Sequence, residues 1–244
     1  MPVSDRGLGL ADGVFETLLI RAGRPQLLQE HVERWRDGAA WLQLPEPPDQ
    51  QQVKQWINEA IRRSGIADGA LRINWSRGSS GRGLQPPAQA KGRCWGSLYP
   101  HQPGFQRQQV VISKRVTRWA EDPFNGCKTL DYSAMVLARL EASQAGASDV
   151  LLRSSQGGLC CGSSANLLVQ QGGQWLTPPL SSGALPGVMR ARGVAMGLIQ
   201  EARLAESLEE EQPALLLNSL DCRPLNHIAE PLAKPLFMQL LGSD

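Results

Sequence analysis

The order of apolar patterns along the chain is the feature that most constrains its fold. Strand-like apolar runs occur at 14–20 and 70–76, and apolar residues at helical spacing occur at 29–44 and 51–64. A further series of strand-like and helical segments begins near Gln109. Hairpins and helices that follow one another without an internal repeat are typical of an α/β (α+β) fold with mixed sheets.

The segment 96–108 separates the two series, because it contains two prolines and has no periodic apolar pattern. We therefore predict an N-terminal domain at 1–100, a linker at 101–108 and a C-terminal domain at 109–244 that carries Lys128. Within the second domain, the predicted strands are 109–116, 148–153, 159–169, a short one ending at Thr177, and 214–217, and the predicted helices are 129–145 and 186–204.

Composition limits the classes of protein to which the chain can belong. The 244 residues are 20% charged and 41% hydrophobic, which is ordinary for a soluble globular protein. A net charge of +2 gives no reason to expect nucleic acid or a membrane surface as a partner. Neither a signal peptide nor a long apolar run is recognised, which favours a cytoplasmic protein. The five cysteines lack Cys-x-x-Cys spacing, so reduced thiols are expected and no metal site is predicted.

Lys128 is the first candidate for catalysis. It is one of only five lysines, against twenty arginines, and a guanidinium cannot form an imine. It follows a glycine turn and opens a segment with apolar residues at helical spacing, namely Leu130, Ala134, Leu137 and Leu140. A partly desolvated amine at such a position can attack a carbonyl. The alternative is a solvated lysine at a helix start.

Arginines at two places are candidates for anion binding. Arg34 follows His31 by three residues on the first predicted helix, where Val32 and Trp35 define the apolar face and leave both polar side chains pointing elsewhere. The glycine-rich loop after the strand at 70–76 contains Arg77 and Arg82 and can cradle an anion. In both cases the alternative is an ordinary solvated arginine.

A helix start near Pro186 is a third candidate for anion binding. Proline suits the first turn of a helix, and the unpaired N–H groups that follow it favour a phosphate. The strand at 214–217 ends in Asn218 and Ser219, whose side chains can add donors to the same anion. The alternative is a helix start with no ligand.

A reactive lysine, an arginine, a helix start and a serine-bearing loop together describe a pyridoxal phosphate site. The chain resembles the class IV (fold type IV) pyridoxal phosphate enzymes, which include branched-chain and D-amino-acid aminotransferases and 4-amino-4-deoxychorismate lyase. The motifs that carry the resemblance span nearly the whole chain: Asp5-Arg-Gly, Asp12-Gly-Val-Phe-Glu-Thr17, His31-x-x-Arg34, Lys128-Thr-Leu, Gly162-Ser-Ser-Ala-Asn166, Thr177-Pro-Pro179, Leu185-Pro-Gly-Val-Met-Arg190 and Asn218-Ser219.

The resemblance implies a role for each matching residue. Lys128 would carry the cofactor covalently and act as the acid and base. Arg34, the backbone N–H groups of Val188 and Met189, and the Ser219 hydroxyl would bind the cofactor phosphate. The family also implies an N-terminal α/β sandwich, a C-terminal pseudo-barrel, a cofactor in the cleft between them and a homodimer that acts on a small-molecule substrate.

Within the family, two details favour the lyase. The loop at 76–83 looks like the lyase's glycine-rich loop, and Met189 is the lyase-like residue at its position. The expected reaction is the loss of pyruvate from 4-amino-4-deoxychorismate to give 4-aminobenzoate for folate biosynthesis. Arg77 and Arg82 are the candidate partners of the substrate carboxylates.

The sequence departs from the family at Cys161, which occupies the cofactor-binding position where the family has a glutamate beside the pyridine nitrogen. Leu10 and Ala11 also replace an aromatic residue and a glycine. A thiol is a poorer partner for a pyridinium, so the electron sink is expected to be weaker. The hypotheses are therefore a lyase, an aminotransferase of branched-chain or D-amino acids, and a cofactor-binding homologue without turnover.

Overall fold

The computed structural model describes residues 1–242, which divide into two compact units. The first consists of Met1–Gln102 with Cys127–Asp131, and the second of Pro103–Gly126 with the chain from Tyr132 onward. The short segment that carries Lys128 thus groups with the first unit, whereas the sequence placed this lysine in the second domain. The linker at 101–108 stays a prediction.

The first unit is an antiparallel sheet with helices packed on it. Its strands are β1 (Gly13–Arg21), β2 (Arg24–Pro25), β3 (Gly69–Ser76) and β4 (Arg93–Pro100), in the order β2-β1-β3-β4. Its helices are α1 (Arg6–Leu10), α2 (Leu28–Trp41) and α3 (Gln50–Ser64). The predicted strands and both predicted helices are found within a few residues. Residues 96–100 were read as a connection, but they belong to β4, which pairs with β3 along its whole length.

A single apolar layer holds α2 and α3 to this sheet. Alternate residues of β1, including Val14 and Leu18, meet Val32 and Trp35 of α2 and Ile57 of α3 in one buried cluster. Burial of apolar surface is the main favourable term in such packing.

The Lys128 segment joins this unit through backbone pairing with β1. The Phe15 N–H donates to the Lys128 carbonyl at 2.9 Å, and the Leu130 N–H donates to the Gly13 carbonyl at 3.0 Å. A Cβ at Gly13 would come within 2.7 Å of Leu130 Cδ1 and 2.4 Å of the Trp75 carbonyl oxygen, so the close approach requires glycine. These bonds fix Lys128 against the first sheet.

The second unit contains an eight-stranded sheet and three helices. The strands are β5 (Val110–Arg118), β6 (Asp149–Ser154), β7 (Leu159–Gly162), β8 (Asn166–Gln171), β9 (Gln174–Thr177), β10 (Ile199–Glu201), β11 (Ala214–Leu217) and β12 (Cys222–Pro224). They follow the path β10-β9-β8-β7-β6-β5, and β11 pairs with β8 and β12. The β5–β6 and β9–β10 pairs are parallel, and the others are antiparallel.

The helices of the second unit, α4 (Ser133–Gln144), α5 (Val188–Ala195) and α6 (Glu230–Leu241), correct several predictions. The helix predicted from residue 129 begins at Ser133, because the preceding residues pair with β1. Its buried face is formed by Ala138 and Ala142, whereas Leu140 is 54% exposed. The helix predicted to reach residue 204 ends at Ala195, before Gly197 with φ +71°, and β10 follows. The strand predicted at 159–169 is interrupted by a turn and forms β7 and β8.

None of the helices in residues 1–242 is long and apolar enough to cross a bilayer.

Candidate active site

Lys128 lies in an extended segment ahead of α4 and is half-buried. Its Nζ is 4.3 Å from the centroid of the Phe15 ring, on the strand to which its own backbone is bonded. A cation over an aromatic face is attracted by the ring quadrupole. The strand therefore positions both ends of this residue, through its carbonyl and its amine.

Arg34 projects from α2 onto Glu16 of β1. Its Nε lies 2.8 Å from Glu16 Oε1 and its Nη2 lies 2.6 Å from Glu16 Oε2. His31 Nδ1 lies 2.8 Å from the same Oε2. The side chains of Glu16 and His31 are each 1% exposed, and that of Arg34 is 12% exposed. The prediction that His31 and Arg34 point away from the core is wrong, because the carboxylate draws both side chains inward.

The charge states of this cluster follow from its contacts. Burial alone would raise the pKa of Glu16, but the Arg34 charge and the His31 hydrogen bond lower it to about 2. Burial lowers the pKa of His31, and the charges of Arg34 and Lys128 act in the same direction against the opposing effect of Glu16. At neutral pH, Glu16 is ionised and His31 is neutral. Because the carboxylate only accepts, Nδ1 of His31 carries the proton.

The glycine-rich loop after β3 is held by Arg6, which is 7% exposed. The Nη1 of Arg6 donates to Ser80 Oγ at 3.2 Å and to the Gly83 carbonyl at 3.1 Å. The Nη2 of Arg6 donates to the Leu84 carbonyl at 2.9 Å. Its Nε lies 2.6 Å from Asp12 Oδ2. This loop is thus an ordered part of the first unit.

Asp12 also binds Arg77, one of the two arginines predicted to meet substrate. Arg77 Nε lies 2.8 Å from Asp12 Oδ2, and its Nη1 donates to the Gln43 carbonyl at 2.7 Å. Burial acts to raise the pKa of the Asp12 carboxyl, but hydrogen bonds from Arg77 and Arg6 keep this pKa below its usual value. Arg82, the other candidate, is exposed. The roles of both arginines stay predictions.

In the second unit, Val188 and Met189 form the first turn of α5, as predicted, and both are buried. The first N–H groups of a helix have no acceptor within the helix, and the N-cap residue here, Gly187, has no side chain that could cap them. Asn166 fixes the entry into the helix, because its Nδ2 donates to the Leu185 carbonyl at 2.9 Å. A Cβ at Gly187 would lie 2.0 Å from Asn166 Oδ1, so the same contact requires glycine.

Ser219 lies in the turn after β11 and is half-exposed. The turn is closed by Asn218, whose Oδ1 accepts from the N–H groups of Leu220 and Asp221 at 2.9 Å each. The structure therefore places Ser219 on a short, hydrogen-bonded turn at the end of a buried strand, as the sequence indicated.

Cys161 lies on β7 next to a β-bulge that the sequence did not reveal. Leu152 pairs with Cys161 and Arg153 with Leu159, so Cys160 is the extra residue of the bulge. Both thiols therefore pack on the same face of the sheet, whereas Leu159 packs on the other. Without the bulge, adjacent residues would point to opposite faces.

The two thiols influence each other. The adjacent Cys160 side chain lowers the pKa of Cys161, assisted by the charge of Arg118 and opposed by burial and by Asp149, while the Cys160 thiol itself donates to the Ser182 carbonyl at 3.3 Å. The same contact and burial raise the pKa of Cys160. Cys161 therefore has more thiolate character than an ordinary buried cysteine, although it lacks the carboxylate that the family resemblance leads one to expect.

The side chains and N–H groups described above are of the chemical types that can bind a phosphorylated aldehyde. The first unit offers a half-buried amine and a guanidinium, and the second offers the N–H groups of the first turn of α5 and a hydroxyl. Sequence reasoning missed Glu16 and His31 as functional candidates, although one signal was present. Glu16 stands between Val14 and Leu18 on the apolar side of a strand, and an ionised residue at such a position needs a buried partner.

The chain belongs to the class IV aminotransferase family, whose model matches residues 13–228.

Individual relatives include lyases as well as aminotransferases. The chain is 32% identical over 188 residues to a bifunctional aminodeoxychorismate lyase / D-amino acid transaminase of Mycobacterium tuberculosis, covering 69% of this chain and 62% of that protein. It is similar to the crystal structure of 4-amino-4-deoxychorismate lyase from Pseudomonas aeruginosa, with 26% identity, a TM-score of 0.79 and coverage of 98% and 94% of the two chains.

The fold is also that of a hypothetical aminotransferase from Mycobacterium tuberculosis solved in its PLP-bound form. That structure has a TM-score of 0.81 at 22% identity and coverage of 99% and 94% of the two chains. The mixed α/β fold of type IV and the family implied by the motifs are thus confirmed.

Proposed function

We propose that the protein is a pyridoxal-phosphate-dependent 4-amino-4-deoxychorismate lyase, which forms 4-aminobenzoate for folate synthesis and releases pyruvate. The observation that carries the proposal is Lys128, a half-buried amine whose backbone is fixed to β1 and whose charge acts on the Glu16–His31–Arg34 cluster. The relatives named as lyases supply the substrate class.

Each candidate residue has a task in this reaction. Lys128 holds the cofactor and removes the proton from the amine-bearing carbon of the substrate. Arg34, the N–H groups of Val188 and Met189, and the Ser219 hydroxyl bind the cofactor phosphate. When bound, pyridoxal phosphate supplies the electron sink. The bond between the ring carbon and the ether oxygen then breaks, the ring becomes aromatic, and the enolpyruvate that leaves takes up a proton to become pyruvate.

The substrate carboxylates are proposed to meet Arg77 and Arg82. Arg77 already binds Asp12 and two main-chain carbonyls, and these bonds fix its direction. Arg82 is exposed in the loop that Arg6 holds, so it is the stronger candidate.

Cys161 favours elimination over transamination. A thiol whose pKa is lowered by Cys160 provides a weaker negative partner for the pyridine nitrogen than a carboxylate does. Aromatisation is strongly exergonic and tolerates a weaker sink, whereas transamination depends on the sink in both half-reactions. We expect Cys161→Glu to change the absorbance of the bound cofactor, and Cys222→Ser to leave it unchanged. An unchanged spectrum for Cys161→Glu would mean that Cys161 does not contact the ring.

The direct test is to incubate the purified protein and pyridoxal phosphate with 4-amino-4-deoxychorismate and to measure 4-aminobenzoate and pyruvate. We expect equal amounts of both products, and none from Lys128→Ala. Transfer of amino groups from D- or branched-chain amino acids to 2-oxoglutarate, without 4-aminobenzoate, would favour the aminotransferase alternative. Cofactor binding without any product would indicate a homologue without turnover.

We also propose that the protein is a cytoplasmic homodimer. An exposed apolar face of α4 supports the dimer, because Val136 is 58% exposed and Leu140 is 54% exposed.

A further inference from the structure

Glu16 occupies an unfavourable position for a charge. It lies on the side of β1 that packs against α2, in line with Val14, Leu18 and Ile20 of the buried cluster. An ionised carboxylate is costly to bury, and the cost is offset only when its oxygens are paired and hydrogen-bonded. Here three contacts, all from α2, compensate it.

We propose that Glu16, held by His31, is the positioning residue that aims Arg34 at the cofactor phosphate. This inference rests on the proposed function, and it adds a residue whose task is to set the geometry of the phosphate site rather than to touch the ligand.

The contacts explain how a carboxylate can aim an arginine. A guanidinium is planar and rigid, so fixing two of its nitrogens fixes the direction of its remaining N–H groups. Glu16 holds Nε and Nη2 of Arg34 at 2.8 and 2.6 Å. His31 then holds the carboxylate from a second side at 2.8 Å, so the carboxylate cannot turn with the arginine.

The net charge of the Glu16–His31–Arg34 cluster determines whether Arg34 contributes to phosphate binding by long-range attraction or by directed hydrogen bonds. Ionised Glu16 offsets the positive charge of Arg34, and His31 adds none because it is neutral. The cluster as a whole therefore attracts a distant anion weakly, and its contribution to phosphate binding comes from directed hydrogen bonds. Removing the carboxylate charge would strengthen long-range attraction but release the guanidinium, and we expect the second effect to dominate.

The test compares two aldehydes, pyridoxal phosphate and pyridoxal, which differ only in the phosphate. Both are titrated against the full-length protein, freed of cofactor, and the absorbance of the lysine adduct gives a dissociation constant for each. The preference for the phosphorylated aldehyde is the ratio of the two dissociation constants. In Glu16→Gln we expect this preference to fall about tenfold or more, because well-directed charge-assisted hydrogen bonds to the phosphate are lost. The dissociation constant for pyridoxal should change less than about twofold. A purely structural role would weaken both aldehydes equally.

Two variants complete the design. Glu59→Gln is the matched control, because Glu59 also binds arginines, Arg62 and Arg63, but on the exposed face of α3. It should leave the preference unchanged. If Glu16→Gln does not fold, as judged by circular dichroism, Glu16→Asp keeps the charge but is too short to hold Arg34 and His31 together. We expect it to reduce the preference as well.

An unchanged or increased preference for pyridoxal phosphate in Glu16→Gln or Glu16→Asp would overturn the inference. A wild-type protein that forms an adduct with neither aldehyde would instead overturn the proposed function, and with it this inference. The two failures are distinct, because the first requires an adduct and the second its absence.

Discussion

Glu16 is 1% exposed between the apolar side chains of β1, and it receives hydrogen bonds from two side chains of α2. The strand and the helix are therefore joined by a charge cluster embedded in apolar packing. Such a cluster makes the packing dependent on pH, because each of its members must keep one protonation state.

We expect the free energy of unfolding to decrease as the pH is lowered. His31 has a folded pKa below its ordinary 6.5, so the unfolded chain takes up its proton first and stability is lost from about pH 6.5 downward. Glu16, lowered from 4.5 to about 2, contributes on the order of 3 kcal/mol above pH 4.5 that is lost as the pH falls toward 2.

Urea unfolding between pH 7 and pH 2 measures this dependence. The Glu16→Gln variant should show a flatter profile below pH 4.5. Half-molar salt is the control, because it screens the exposed Glu59 pairs but not a buried cluster. An equally steep profile in the variant would contradict the assignment.

Asp12 and Arg6 show how one polar cluster orders an entire loop. The glycine-rich segment after β3 has no regular structure of its own between 80 and 85, and its carbonyls are held by a single guanidinium. A lysine at position 6 could not bind all of these carbonyls at once, because its ammonium group is a compact charge on a flexible side chain and lacks the planar array of N–H donors of a guanidinium.

We therefore expect Arg6→Lys to loosen the loop and to lower stability by about 1–3 kcal/mol. Hydrogen exchange should become faster at residues 80–85, while β1 and β3 stay protected. Arg93→Lys is the matched control, since Arg93 is 43% exposed and pairs with Asp5 through Nε. Loss of protection across the whole first sheet would argue against a local role.

The start of α5 depends on a close contact between Gly187 and Asn166. Gly187 has φ −64° and ψ 139°, which alanine also adopts, so only the 2.0 Å approach of a Cβ to Asn166 Oδ1 excludes a side chain. We expect Gly187→Ala to cost about 1–3 kcal/mol by forcing Asn166 away from the helix entry.

A double-mutant cycle tests this contact by urea unfolding. Asn166→Ala alone should cost about 1 kcal/mol for the lost bond to the Leu185 carbonyl. The double variant should cost clearly less than the two single changes together, because the clash is gone. Gly9→Ala is the control, since a Cβ there meets open space. Strict additivity would show that the clash is not what limits position 187.

At the scale of the whole molecule, the exposed apolar face of α4 bears on assembly. We expect the wild-type protein to elute as a dimer with light-scattering detection, and Leu140→Glu to shift it toward the monomer, because a charge would be buried in the interface. Val3→Glu is the control, since Val3 is 92% exposed and lies far along the chain from α4. A monomeric wild-type protein would refute the proposed dimer.

Much of the architecture was accessible from local pattern. The run at 14–20 and the strand at 70–76 were found because their apolar residues recur as a sheet requires, and 214–217 was predicted to the residue. The end of α5 and the division of 159–169 were missed. In both places a turn interrupts a segment whose residue types still favour continuation.

The chain alone specifies which chemical groups are present and in what order, since helix and strand periods and motif spacing are local properties. It thereby identified the family, and it predicts Lys128 as the reactive lysine. Only tertiary packing decides that Lys128 is fixed to β1 and that Arg34 binds Glu16. It also decides that Arg77 binds Asp12, although these two residues are 65 positions apart in the sequence. These contacts join distant segments, and their partners are determined by which surfaces bury one another rather than by any neighbour in sequence.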